Sequence, residues 1–127
     1  MYLSLVSVLV REYDEAIAFF TQKLGFELVE DTPLSATKRW VVVRPSGQSQ
    51  GGILLARAVG EDQERCIGNQ TGGRVFLFLQ TDDFEGMYQR LQSHDIKIVR
   101  PPSVEDYGIV TVFEDLYGNW WDLIQSK

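Results

Sequence analysis

The chain has 127 residues, a formal net charge of −6 and 44% apolar side chains, enough for one domain with a real core. The acidic balance argues against a nucleic-acid surface, which carries a basic patch, and no apolar run approaches the roughly 20 residues that span a bilayer. A single cysteine, Cys66, excludes an internal disulfide and fits a reducing cytoplasm.

Residues 3–10 alternate and are rich in valine and leucine, which predicts a strand; they lack the basic start and small-residue cleavage site of a signal peptide. Asp14 is expected to cap a helix with Ile17, Phe20 and Leu24 on one face, and Gly25 to end it. Residues 26–30 and 39–44 read as strands on either side of a turn at Pro33-Leu34-Ser35. Residues 53–58 follow the Gly51-Gly52 turn as a fourth strand. The stretch 60–73 is polar, contains glycine and has no apolar period, so it reads as a linker.

The same order then returns. Residues 75–80 form a strand, and Asp82 or Asp83 caps a helix that buries Phe84, Met87, Tyr88 and Leu91. His94, the only histidine, falls where that helix ends and reads as a solvent-facing cap, so a multi-histidine metal site is excluded. Residues 96–99, 109–113 and 120–124 complete the strands, with Pro101-Pro102 and Tyr117-Gly118-Asn119 as turns. Each half is therefore βαβββ: module one over 1–59, a linker over 60–73 and module two over 74–127, together one domain.

Several segments carry a resemblance: Asp14-Glu15-Ala16-Ile17-Ala18-Phe19-Phe20, Lys23-Leu24-Gly25-Phe26-Glu27-Leu28, Thr81-Asp82-Asp83-Phe84, and Phe113 to Leu123 with its aspartate, Gly118-Asn119 and a following carboxylate. Spread over nearly the whole chain, they resemble the vicinal oxygen chelate superfamily of glyoxalase I, bleomycin-resistance proteins and extradiol dioxygenases. The resemblance implies an α+β fold in which two tandem βαβββ modules form a curled eight-stranded cup with two principal helices. It also implies a divalent metal, held by a first-strand histidine or glutamine and a last-strand glutamate from each module, that chelates two neighbouring substrate oxygens.

Carried over one position at a time, those ligand places fall on Leu5, on Leu54 or Leu55, on Phe76 and on Asp122. Only Asp122 has a lone pair to give, and such ions need about three or more protein donors. No metal and no other cofactor is expected. If Phe76 faces the cup, so do Gln80 and Asp122, since alternate residues of a strand share a face. Asp122 would be held by a backbone amide, Gln80 or an arginine, or would serve with Gln80 to position a ligand or move a proton. Trp40 and Trp120 are candidate flat walls, and Arg39, Arg44 or Arg57 a candidate anion partner.

The reading that follows is a cytoplasmic, homodimeric small-molecule binding protein without the family's metal. Its ligand-binding residues would be Leu5, Trp40, Phe76, Gln80, Trp120 and Asp122, with Asp122 the one candidate catalytic group. A lyase, isomerase or dioxygenase-type enzyme with a non-standard site is the alternative, and a structural module with a filled cup the second. Neither nucleic acid nor membrane is an expected partner.

Overall fold

The computed structural model describes residues 1–127, which divide into two compact units, Met1–Ile67 and Gly68–Lys127. The first contains β1 (Leu5–Val10), α1 (Tyr13–Ala18), β2 (Glu27–Pro33), β3 (Arg39–Arg44), β4 (Gly52–Arg57) and α2 (Glu61–Cys66). The second contains β5 (Val75–Gln80), α3 (Phe84–Ser93), β6 (Ile98–Glu105), β7 (Gly108–Glu114) and β8 (Trp120–Ser126). Strand order is β1-β4-β3-β2 in one four-stranded sheet and β5-β8-β7-β6 in the other. The outer strand β1 runs parallel to β4, as β5 does to β8, and the remaining pairs are antiparallel. The architecture is thus α+β with a duplicated βαβββ order, as the sequence indicated.

Alternation decides what each sheet buries. In the first unit Val8, Val10, Val41, Val43, Ile53 and Leu55 are buried with Ala16 and Phe20 of the helical segment. Leu5, Ser7, Leu9, Trp40, Val42 and Leu54 therefore take the opposite face. Behind Ala18 the helix widens into a π-helical turn, Phe19–Lys23, whose Leu24 N–H donates to the Phe19 carbonyl at 3.1 Å. Consecutive Phe19 and Phe20 are both buried there, and Gly25 ends the segment at φ 76°. Asp14 is not the cap: that position is Glu12, whose side chain makes no capping bond. Asp14 instead accepts from the Arg39 guanidinium at 2.8 Å. The same guanidinium forks onto both Asp31 oxygens, at 3.0 and 2.6 Å, and lies over the Tyr13 ring. One side chain so ties β2 and β3 to the start of α1.

In the second unit Asp83 caps α3, accepting from the Gly86 N–H at 3.0 Å. His94 is the C-terminal cap, and Asp95 follows in the left-handed region at φ 57°. The Asp95 and Ile96 N–H groups close the helix onto the Gln92 and Leu91 carbonyls. Two further expectations need correction. The polar stretch 60–73 is not all loop, because α2 occupies its first half. β6 does not stop at residue 99 but runs through Pro101 and Pro102. Proline is tolerated there because β6 is an edge strand, whose outer N–H groups have no ladder partner to lose.

The β7–β8 connection is built around one buried carboxylate. Asp115 Oδ1 accepts the backbone N–H groups of Tyr117 and Asn119, both at 3.0 Å. Its Oδ2 accepts Asn119 Nδ2 at 2.9 Å and the Trp121 indole N–H at 3.1 Å. Asn119 Oδ1 in turn accepts the Gln70 N–H, which draws in the segment after Gly68. A Cβ at Gly68 would collide with the Tyr117 carbonyl, so this contact requires glycine. Burial pushes the Asp115 carboxyl above the ordinary carboxylate range, while its four donors pull in the other direction. Replacing Asp115 with alanine strands those donors in the interior and should cost about 3 kcal/mol, read as a lower urea midpoint with an unchanged denaturant slope.

Candidate functional site

In the second unit the candidate site is a row of side chains across the face turned away from α3. β-ladder register aligns Arg100 of β6 with Val112 of β7, Val112 with Asp122 of β8, and Asp122 with Phe78 of β5. Trp120 lies two residues before Asp122 on the same face. The Arg100 guanidinium carbon sits over its ring, 5.7 Å from the centroid. Phe78 is 70% exposed, an unusual state for an aromatic residue inside a strand. Asp122 and Trp120 are half-buried.

Partial burial of Asp122 pushes its carboxyl above the ordinary value of 3.8, and the positive charge of Arg100 opposes the shift. Among the three partners expected for Asp122, the nearby charge is therefore the arginine. Gln80 does not serve. It registers with Ile124, and its Nε2 donates to Ser126 Oγ at 3.0 Å. β5 carries one extra residue between Val75 and Leu77, so Phe78 is the side chain that registers with Asp122.

The first unit repeats the row with different chemistry. Glu30, Val42, Leu54 and Ser7 are aligned across β2, β3, β4 and β1. Leu54 is the residue on this face, whereas Leu55 is fully buried on the helix side. Leu5 pairs with Gly52 one row further along. Trp40 is half-buried and shares the face of Val42 and Leu54. At the four places implied for metal ligands the side chains are thus Leu5, Leu54, Phe76 and Asp122. One carboxylate among three hydrocarbons is not a donor set for a divalent ion. No group of three or more His, Cys, Asp or Glu side chains that could hold a metal ion occurs in the chain.

The arginines divide clearly. Arg39 is held by Asp14 and Asp31, and this contact keeps the Asp31 carboxyl below the ordinary range through its hydrogen bonds. Arg44 donates to the Ser49 carbonyl and lies 3.9 Å from Glu27. Arg57 lies 3.7 Å from Glu12. None of these three expected candidates shares the row with Asp122; Arg100 does. It escaped sequence reasoning because Pro101-Pro102 suggested a turn. The available signal was the proline pair itself, which restricts the preceding residue to extended backbone.

Sequence and structure comparisons agree with this architecture. A profile of the glyoxalase/bleomycin resistance protein/dioxygenase superfamily matches residues 2–123. An uncharacterized protein of Shewanella frigidimarina is 57% identical over 121 residues, which cover 94% of this chain and 90% of that protein. The crystal structure of UcmS2 superposes with a TM-score of 0.85 at 28% identity, covering 98% of this chain and 97% of the other. TnmS3, an antibiotic binding protein from a Streptomyces species, superposes with a TM-score of 0.79 at 26% identity, covering 100% of this chain and 97% of its own.

The raised Asp122 carboxyl has a measurable consequence. An acid whose folded pKa exceeds its unfolded one costs nothing while both states are protonated. Its penalty grows as pH rises from 3.8 through the higher folded value, and is constant above. Asp122→Asn should therefore gain stability relative to the parent across that window. Urea unfolding of both proteins between about pH 3.5 and 7 measures it, and a difference that does not change with pH would contradict the assignment.

Proposed function

Because the chain belongs to the glyoxalase/bleomycin resistance protein/dioxygenase superfamily, we propose that it is a small-molecule binding protein that holds its ligand without a metal. The observation that carries this reading is the composition of the ligand places. Leu5, Leu54 and Phe76 offer hydrocarbon where a chelating site needs donors, and a mostly apolar wall with a few placed polar groups suits ligand capture. The described antibiotic binding of TnmS3, an overall structural likeness at 26% identity, supports the same class of function. In the second unit Trp120 supplies flat apolar surface for it, and Asp122 a polar fixture.

Two measurements test the reading. Elemental analysis of the purified protein should find well below one equivalent of transition metal per chain. Thermal-shift screening against planar apolar compounds should find stabilising ligands whose effect is lost in Asp122→Ala and Trp120→Ala, both folded. Stoichiometric metal, or stabilisation unaffected by either substitution, would remove the proposal. Asp122-dependent turnover of a ligand would instead favour the second reading, an acid–base enzyme, for which the raised carboxyl pKa is the supporting observation.

The protein is further proposed to work in the cytoplasm as a homodimer. Each sheet ends on two edge strands, and such edges are places where chains associate. Light scattering at micromolar concentration should give twice the chain mass of 14.5 kDa, and a monomer there removes the dimer. No helix is long and apolar enough to cross a membrane.

A further inference from the structure

Arg100 differs from the arginines of the first sheet in having no carboxylate within ion-pair distance. Arg39, Arg44 and Arg57 each have one. An unpaired guanidinium over a tryptophan ring keeps its fork of donors available. Its backbone is also fixed. β6 breaks register between Ile98 and Arg100 and again between Arg100 and Ser103, and breaks of this kind re-aim a side chain. Pro101 restricts Arg100 from one side. From the other, the buried Thr111 hydroxyl donates to the Arg100 carbonyl at 2.6 Å.

We propose that Arg100 supplies the positive charge of the site, and that the ligand is a planar aromatic molecule carrying a carboxylate or similar oxyanion. This rests on the reading of the Asp122 row as the ligand site. The guanidinium fork presents two parallel N–H donors and so accepts a carboxylate or similar oxygen pair in a way an ammonium cannot. Asp122 lies two strands away across Val112, so the guanidinium and not the carboxylate is the group that meets the anion. The exposed Phe78 ring next to Asp122 and Trp120 provide apolar surface for the aromatic body.

Calorimetric titration with two probes tests this. The first, 2-naphthoate, carries the ring and a carboxylate; the second, 2-naphthol, carries the same ring without the charge. Arg100→Met should weaken the naphthoate at least about tenfold, as expected for losing charge-assisted hydrogen bonds, and alter naphthol less than about twofold. Arg100→Lys should restore only part of the loss, and added salt should weaken the naphthoate selectively. Because Arg100 is exposed, both variants should fold, which circular dichroism checks. Unchanged naphthoate affinity in Arg100→Met, with binding still lost in Trp120→Ala, overturns the role of Arg100 and leaves the site standing. Binding of neither probe counts against both, and full recovery in Arg100→Lys overturns recognition through the fork.

Discussion

The second unit depends on the Asp115 carboxylate. A buried charge is costly unless donors surround it, and here two backbone and two side-chain N–H groups do so. Those bonds fix where β7 ends and β8 begins, so they also fix which residue of one strand lies beside which residue of the other. A slip of one position would exchange the faces of the whole strand. Asp122 and Trp120 would then turn toward α3, and Trp121 and Leu123 away from it. Through Trp121, whose ring packs 5.9 Å from Phe113, the same carboxylate is coupled to the apolar core. The turn and the core thus enforce one register, and the register sets the row of Arg100, Val112, Asp122 and Phe78.

Charge is used in two different ways on the two sheets. In the first unit the guanidinium of Arg39 is consumed in structure, clasping Asp31 and Asp14 and covering Tyr13. In the second, Arg100 is left without an ion pair and its aromatic neighbour is Trp120. The corresponding rows differ accordingly: Glu30, Val42, Leu54 and Ser7 against Arg100, Val112, Asp122 and Phe78. A duplicated backbone has therefore diverged in its side chains, and the polar chemistry is concentrated in one copy.

The duplicated element order was readable in the residues because it rests on local physics. Alternating valines and leucines, the Asp83 cap, the Gly25 stop and the Gly118-Asn119 turn each act over a few residues, and all appear where expected. Errors arose where a distant partner overrode a local preference. Asp14 has the right chemistry for a cap, yet Arg39, 25 residues away, holds it instead. Pro101-Pro102 favours a turn locally, yet β6 continues through both, held on either side by the pairs Arg100–Val112 and Ser103–Val110. Gln80 shares the face of Asp122, as alternation implies, but it registers with Ile124 and its amide is taken up by Ser126, a partner 46 residues away.

By itself, the sequence determined the strand and helix pattern, its repetition, and the hydrocarbon character of Leu5, Leu54 and Phe76. Identity and local spacing are enough for those conclusions. Tertiary structure alone decided that Leu54 rather than Leu55 takes the open face, that Phe78 rather than Phe76 neighbours Asp122, and that Arg100 is the arginine of the row. The physical reason is common to all three. Bulges and cross-strand register are set by pairing between segments far apart in the chain, and one inserted residue changes which side chains meet without changing the local pattern that a sequence displays.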